Sequence, residues 1–294
     1  MDGEVDDGQR QVVTAGGETA GLVVLVTAAS TGLGAATAQA LVDAGHTTYA
    51  GIASASNRLY GGPDELDESA GEYRARPRPV ALDIADQRSV SAAVAEITAD
   101  AGRIDVVIHT MGPMPRGPLE SFTPYQLAQI YDAHVLSTQR VNRAVLPQMR
   151  ARREGLLVWV VSSVRHVDTA FYLALHSEAI TAIGHLGASY ARELTGFGIE
   201  TTIVDSGSPP SPDTGRDRRR VHPDDAKTLD AYEGIYPGLI DRADAMLAER
   251  AVTEEQVIET ARTIAAVVTS PKGSRPLRIE VGAGVGTGEN VAGY

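Results

Sequence analysis

Cysteine is the one residue that this chain of 294 residues lacks altogether. Its absence excludes disulfide bonds, cysteine-ligated zinc, iron–sulfur clusters and thiol nucleophiles. A chain without cysteine also suits a reducing compartment, so we expect a cytoplasmic protein.

Basic side chains are also scarce. Lysine and arginine number 26 against 38 aspartates and glutamates, which gives a formal net charge of −12 at pH 7. A protein with this charge is repelled by a phosphate backbone, and we therefore expect no nucleic-acid partner.

The segment 1–21 contains no apolar run of the kind that a signal peptide or a membrane span requires. It is acidic and contains glycines, and we interpret it as a disordered leader. The glycine-rich segment 282–294 is interpreted as a flexible tail. We expect no membrane partner.

Short apolar runs and helix-forming segments alternate along the chain, which is 43% hydrophobic. The predicted strands are Leu22–Thr27, Thr47–Ile52, Val80–Leu82, Val106–His109, Leu156–Val161, Thr201–Asp205 and Leu277–Val281. The predicted helices are Ala35–Ala44, Ser89–Ala101, Thr123–Arg152, Ala170–Thr195 and Thr253–Val268. This order predicts one α/β domain over residues 22–281: a doubly wound Rossmann-type fold with a seven-stranded parallel sheet and helices on both faces.

Two segments interrupt the alternation. Residues 54–79 carry turn residues and charges where a second helix is due, so we expect that helix to be short or remodelled. Residues 206–247 follow the sixth strand and are rich in proline and arginine with little periodicity. Ligands of open parallel sheets bind at the carboxyl ends of the strands, so we interpret 206–247 as a substrate lid.

The turn Thr27-Ala-Ala-Ser-Thr-Gly32-Leu-Gly34 follows the first strand and resembles the glycine-rich loop of short-chain dehydrogenases/reductases (SDRs). The rest of the chain follows that family's order of motifs, with Asp83-Ile84, Gly112, Ser162-Ser163 and Gly207 after successive strands. The resemblance implies a dinucleotide site at Gly32, Gly34, Asp83 and Ile84. It also implies that the two longest helices pair between subunits, in a homodimer or homotetramer.

The resemblance further implies a catalytic tetrad of Ser, Tyr, Lys and Asn. Counting thirteen residues on from Ser163 gives His176 in place of the tyrosine, and four more give Ile180 in place of the lysine. His134 stands where the long helix of the family carries its asparagine. Tyr172 precedes the tyrosine position by one helical turn, about 6 Å along the axis, which is too far for the same proton transfer.

The dinucleotide motifs also differ from the family pattern. Ala28 replaces the first glycine of the loop, and we expect it to be tolerated only at a negative φ. The run Gly51–Ser54 after the second strand has neither an arginine for a 2′-phosphate nor an acid for a ribose. We therefore expect that no cofactor is required, although NAD(P) binding at Gly32 and Gly34 remains an alternative.

Imidazole exchanges protons near neutral pH without the cationic neighbour that a phenol needs. We interpret His176 as a general acid/base, Ser163 as a hydrogen-bond donor to a substrate oxygen, and His134 or Asp205 as a second proton handler. The working hypothesis is non-redox acid/base chemistry on a small, specialised metabolite: isomerisation, cyclisation, elimination or C–C cleavage.

Two other functions remain open from the sequence. One is an NAD(P)-dependent oxidoreductase, a ketone reductase or alcohol dehydrogenase, and the other is a non-catalytic protein that binds a ligand or partner. We expect no metal, because no HExxH or HxxxH pair shares a helix at the crevice. The run Arg216–Arg220 is either a solvated face or a contact for an anionic substrate.

Overall fold

In the computed structural model, the residues described are 21–30, 32–53, 75–110, 112, 114–162, 172–207, 220–249 and 253–281. The expected leader at 1–20, most of the segment 54–79, Arg216–Arg219 of the arginine run and the expected tail at 282–294 lie outside these residues. The fold below is that of the described part of the chain.

A parallel sheet of seven strands forms the centre of the molecule, as the sequence predicts. Its spatial order is β3-β2-β1-β4-β6-β7-β9, and every neighbouring pair is parallel. The strands are β1 (Val23–Val26), β2 (Thr47–Ile52), β3 (Arg78–Ala81), β4 (Val106–His109), β6 (Gly155–Val161), β7 (Ile199–Asp205) and β9 (Arg278–Glu280). The reversal of order at β1 and β4 defines a doubly wound sheet.

Helices cover both faces of this sheet. They are α1 (Gly32–Asp43), α2 (Gln87–Ala101), α3 (Pro124–Tyr131), α4 (Ser137–Arg152), α5 (Ala174–Leu194), α6 (Ala226–Ile235), α7 (Leu239–Glu249) and α8 (Glu254–Thr269). Side chains alternate across β1, so Val24 and Val26 pack with α1 and α8, while Leu25 belongs to the cluster with α2, α4 and α5. Because helices pack on both faces of the sheet, its central strands are apolar on both faces, which explains the unbroken apolar runs in the sequence.

The segment predicted as one helix from Thr123 to Arg152 is continuous but changes its winding. Thr123 caps the N-terminus of α3, and the turn at Asp132–Leu136 between α3 and α4 is a π-helix. A π turn inserts an extra residue and redirects the side chains near it. His134 lies in this turn.

The described part of the segment 206–247 is more regular than the predicted lid loop. Residues Arg220–Val221 form the short strand β8, which pairs in parallel with β5 (Met114–Pro115), and the helices α6 and α7 follow. Asp225 caps α6 by accepting a hydrogen bond from the Thr228 N–H at 3.0 Å. Because β5 directly follows β4, the pairing holds this part of the insertion near the carboxyl edge of the sheet.

Gln126 connects the insertion to α3. Its Nε2 donates to the His222 carbonyl at 2.8 Å, and its Oε1 accepts from the Asp224 N–H at 2.9 Å. The same Oε1 accepts from the Thr123 N–H, which completes the capping box of α3. Gln126 is buried, so a side chain that cannot form these bonds leaves unsatisfied backbone groups.

We predict that Gln126→Ala lowers the free energy of unfolding by about 1–3 kcal/mol more than Gln256→Ala does. Gln256 forms the equivalent capping box with Thr253 at the start of α8 but is exposed to solvent. The loss of the cap is therefore common to both variants, and the difference measures the attachment of the insertion. Urea unfolding gives both values, and equal losses would contradict the prediction.

Candidate functional site

The glycine-rich turn joins the carboxyl end of β1 to α1. Thr27 connects it to β4, because its Oγ1 donates to the Ile108 carbonyl at 3.2 Å and accepts from the Thr110 N–H at 3.2 Å. The Ala29 N–H donates to the Gly51 carbonyl of β2 at 2.9 Å. The turn is thus held by strands on both sides.

Gly34 makes the closest backbone approach in this turn. A Cβ added there would lie 2.5 Å from the Ala28 carbonyl oxygen and 3.0 Å from the Ala29 Cα. Gly32 starts α1 at φ +57°, with open space where its Cβ would be. A bare backbone at a helix N-terminus is the arrangement that accommodates a pyrophosphate, so these residues fit a dinucleotide at that end.

Ala28 departs from the expectation that it requires a negative φ. Its φ is +48°, in the left-handed region where glycine is favoured. The hydrogen bonds of Thr27 and Ala29 on either side fix the backbone, so the short methyl side chain adopts the conformation that the turn imposes. The prediction of a negative φ is wrong.

Asp83 and Ile84 follow β3 at the same edge of the sheet. The Asp83 Oδ1 accepts from the Ala85 N–H at 2.9 Å, and the Asp83 N–H donates to the Ser89 Oγ at 2.9 Å. Ile84 is buried in the core. These contacts shape the turn that leads into α2, and a role in binding a dinucleotide stays a prediction.

His134 and His176 lie next to each other, as the sequence interpretation requires. Both are buried, and their ring centroids are 5.9 Å apart with the ring planes at 71°. His176 stands in the first turn of α5, and His134 comes from the π turn. Gly112 packs against the imidazole of His134, since a Cβ at Gly112 would lie 3.1 Å from the His134 Cε1.

The environment of His176 keeps its ring neutral. Burial, with the nearby His134 and Arg116, lowers the pKa of His176 to about 3. The Nε2 lies 3.3 Å from the Ser162 Oγ, and the buried Nδ1 has no hydrogen-bond partner within the described residues.

Ser163, the predicted hydrogen-bond donor, lies outside the described residues. The serine that contacts His176 in the structure is its neighbour Ser162, at the end of β6. The sequence contains a signal for both, because the pair Ser162-Ser163 follows an apolar strand. Counting along the chain selected only Ser163.

Asp205 ends β7 and is buried, on the strand next to that of Ser162. Its Oδ1 accepts from the Gly207 N–H at 3.0 Å, and its Oδ2 lies 3.9 Å from the Arg278 Nη1. These groups belong to the turn after β7 and to β9, and neither belongs to the histidine pair. A role for Asp205 as a proton handler stays a prediction.

Arg116 is a feature that the sequence interpretation missed. It follows β5 and is 5% exposed, and it forms an ion pair with Asp244 of α7. It acts on His176 electrostatically, which places its positive charge near the imidazole. The signal in the sequence is a single arginine among prolines and glycines in Gly112-Pro-Met-Pro-Arg116-Gly117.

Tyr172 faces the insertion. Burial and the charges of Glu233 and Tyr236 raise its pKa. Glu233 lies on α6, and Tyr236 directly follows that helix. The same segment contacts the chain after β5, because the Gly117 N–H donates to the Tyr172 carbonyl at 3.1 Å.

His109 and Asn142 form a separate buried pair beside the site. The His109 Nε2 and the Asn142 Oδ1 are 2.8 Å apart, and burial lowers the pKa of His109 to about 4. The His109 ring lies 4.7 Å from the ring of Trp159. This packing indicates a structural role for His109.

Two general features complete the description. Within the described residues, no group of three or more histidines, aspartates and glutamates is arranged to hold a metal ion. None of the described helices is long and apolar enough to span a membrane.

The sequence model for the short chain dehydrogenase family matches residues 22–218. The chain belongs to the short-chain dehydrogenase family. Its relatives include oxidoreductase BOA17 of Botryotinia fuckeliana, 31% identical over 183 residues, which are 62% of this chain and 64% of that protein. They also include a 3-ketodihydrosphingosine reductase of Bacteroides thetaiotaomicron, 29% identical over 63% of each chain. This short-chain dehydrogenase thus spans less than two thirds of the length of these two relatives.

Solved structures share the fold over most of the chain. A short-chain dehydrogenase from Streptomyces avermitilis superposes with a TM-score of 0.71 at 25% identity, covering 90% of this chain and 89% of that one. A metagenomic short-chain oxidoreductase in complex with NADP gives 0.62 at 19% identity, covering 89% and 97%. These matches confirm the Rossmann-type fold predicted from the sequence.

The predicted non-redox chemistry is wrong. The relatives are named as an oxidoreductase and a reductase, which contradicts isomerisation, cyclisation, elimination or C–C cleavage as the reaction. The prediction gave most weight to His176 and Ile180. Those two side chains lie on α5, whereas the close approach at Gly34 is a property of the backbone and is retained.

The prediction that no cofactor is required is contradicted as well. A protein of the same fold was solved with NADP bound. The prediction rested on the motif after the second strand, which has neither an arginine for a 2′-phosphate nor an acid for a ribose. A pyrophosphate, however, is bound largely by backbone N–H groups and a helix N-terminus, so the lack of those side chains does not exclude its binding.

We predict that His109 makes the stability of the protein depend on pH. Its folded pKa of about 4 lies below the unfolded value near 6.5. Above pH 6.5 the ring is neutral in both states and contributes nothing, whereas below it only the unfolded chain takes up the proton. The free energy of unfolding should therefore fall by up to about 1.4 kcal/mol per pH unit from this group as pH decreases from 6.5 to 4.

The measurement is urea unfolding at several pH values for the wild type and His109→Asn. The variant should show a smaller slope between pH 6 and 4.5. His185→Asn is the matched control, because His185 is exposed on α5 and its removal should leave the slope unchanged. An unaltered slope in His109→Asn would rule out the proposed linkage.

Proposed function

We propose that this short-chain dehydrogenase is an NAD(P)-dependent oxidoreductase that interconverts a carbonyl group and an alcohol on a small molecule. The observation that carries the proposal is the glycine turn at the N-terminus of α1, where Gly32 leaves open space and Gly34 lets the helix pack closely on Ala28. This cradle lies at the carboxyl end of β1, beside β4, and the buried histidine pair lies beyond β4 at the same edge. The names of the relatives support the same reaction class.

The cofactor would extend along that edge. Gly32 and Gly34 would hold the pyrophosphate at the N-terminus of α1, where N–H groups and the helix dipole favour negative charge. Asp83 and Ile84 would border its nucleoside end, because β3 lies at the outer edge of the sheet. The opposite direction along the edge leads through β4 towards His176.

A bound nicotinamide would supply the hydride in reduction and accept it in oxidation, and the proton of the alcohol would be exchanged with solvent water. His176 would bind the substrate oxygen through a ring nitrogen. Its pKa of about 3 keeps the ring neutral at pH 7, so one nitrogen carries a proton and the other accepts one. A neutral imidazole polarises a carbonyl by donating a hydrogen bond, without adding a charge that the buried site would have to solvate.

Ser162 would set the tautomer of His176. If the Ser162 Oγ donates to the Nε2, 3.3 Å away, the proton of the ring stays on the Nδ1, which is the buried nitrogen without a partner within the described residues. The Nδ1 then donates to the substrate oxygen. His134, with its ring centroid 5.9 Å away, would pack against His176 and fix the orientation of the ring.

We predict that Gly34→Ala weakens the binding of NADH and NADPH by about tenfold or more, because the added methyl displaces the turn from the helix N-terminus. Calorimetric titration of both dinucleotides tests this. Gly196→Ala is the control, since nothing lies within 4 Å of a Cβ at that position. Undiminished binding in Gly34→Ala would contradict the placement, and a wild-type protein that binds neither dinucleotide would contradict the function.

We predict that His176→Phe lowers kcat by about 10²-fold or more while the affinity for NADPH stays near that of the wild type, because the hydrogen bond that polarises the carbonyl is lost. Because the ring of His176 is neutral down to about pH 3, we also predict that wild-type kcat/KM shows no step near pH 6.5, where a solvated histidine titrates. The assay follows NADPH oxidation with a panel of ketones and aldehydes, and His185→Phe serves as the control. A histidine-like step near pH 6.5, or full activity in His176→Phe, would exclude this role.

The extent of the domain and its assembly remain proposals. We propose that 22–281 forms one domain in which the described part of 206–247 covers the site, supported by the pairing of β5 with β8. Assembly into a homodimer or homotetramer through α4 and α5 stays a prediction, and light scattering of the purified chain would measure it.

A further inference from the structure

Arg116 combines three properties that a residue with only a structural role seldom shows together. It is 5% exposed, its positive charge lowers the pKa of His176, and its Nε has no hydrogen-bond partner within the described residues. A buried guanidinium with an unused donor carries a desolvation cost that a ligand oxygen would remove.

The contacts of Arg116 divide its guanidinium into a used part and an unused part. The Nη1 donates to the Asp244 carboxylate. The Nη2 contacts only the Met114 sulfur within the described residues, at 3.8 Å, and sulfur is a weak acceptor. The Nε and Nη2 form one edge of the planar fork, which suits two parallel hydrogen bonds to a carboxylate.

The backbone around Arg116 fixes the position of this edge. The Arg116 N–H donates to the Val221 carbonyl of β8 at 3.2 Å, and the N–H of the next residue, Gly117, donates to the Tyr172 carbonyl. Tyr172 precedes the start of α5, which carries His176. The guanidinium is thus built into the same corner as the histidine pair.

We propose that Arg116 is a specificity-determining residue that binds a carboxylate of the substrate through its Nε and Nη2, so that the substrates are oxo acids and the corresponding hydroxy acids. This inference rests on the proposed oxidoreductase function. Asp244 indicates which oxyanion fits, because a carboxylate from α7 already occupies the neighbouring position on the fork. It also balances the buried charge when no substrate is bound.

The test uses a series of 3-oxo carboxylic acids of increasing chain length, each with its methyl ester. The ratio of kcat/KM for acid over ester is measured with saturating NADPH. In the wild type we expect a ratio of about 10 to 100, the range of a charge-assisted hydrogen-bonded pair. Arg116→Met should bring the ratio close to one, and Arg116→Lys should retain part of it.

Asp244→Asn tests the same idea in the opposite direction. Removing the competing carboxylate leaves the guanidinium without its counter-charge, so KM for the acids should fall relative to the esters. This variant keeps the proposal testable if Arg116→Met does not fold. Arg242→Met is the matched control, since Arg242 is exposed on α7, the helix that carries Asp244. Its loss should leave the acid-to-ester ratio of kcat/KM unchanged.

Failure of the inference and failure of the function are distinguishable. A wild type that reduces esters at least as well as acids, or an unchanged ratio in Arg116→Met, overturns the carboxylate site while the oxidoreductase function stands. If no compound oxidises NADPH or NADH, the function fails, and calorimetry with the 3-hydroxy acids still decides on Arg116. Binding that disappears in Arg116→Met supports the site, and binding that is absent or unchanged overturns it.

Discussion

Parallel pairing of all seven strands is the constraint on which the site depends. Because every strand of the sheet points the same way, the chain returns to one edge each time a strand ends. The glycine-rich turn after β1, Gly112 after β4, Ser162 after β6 and Asp205 at the end of β7 all lie there. Strands that are buried on both faces contribute mostly apolar side chains within the sheet, so most of the polar side chains of the candidate site lie at this edge and on the helices that border it.

Burial determines the electrostatics of the site. His176 loses the solvation that would stabilise a charged ring, and Arg116 opposes a second positive charge nearby. Asp244 is the counter-charge of Arg116, and it comes from the insertion rather than from the core of the fold. The insertion is therefore part of the charge balance around His176. The attachment through Gln126 and the pairing of β5 with β8 hold that counter-charge in place.

The parallel sheet could be predicted from the sequence, because short apolar β-branched runs that alternate with helical segments are compatible with few other folds. It also assigned His134 and His176 to the two long helices that line the crevice, and in the structure their ring centroids are 5.9 Å apart. It did not reveal the pairing of Arg116 with Asp244, which lie 128 positions apart and are joined only by the fold. The helices α6 and α7 were missed because the whole segment 206–247 was interpreted as a loop from its prolines and arginines. The function was misjudged because side-chain motifs were read without the backbone geometry at Gly34.

Trp159 gives the molecule an internal optical reporter. It is the only tryptophan in the chain and is fully buried, with its indole between the imidazole of His109 at 4.7 Å and the stacked phenol ring of Tyr190 at 5.9 Å. Trp159 lies on β6, three residues before Ser162, the serine that contacts His176. Indole emission is sensitive to the charge and packing of adjacent rings, so a change at the His109 or Tyr190 ring is expected to alter the native fluorescence of the protein without any label.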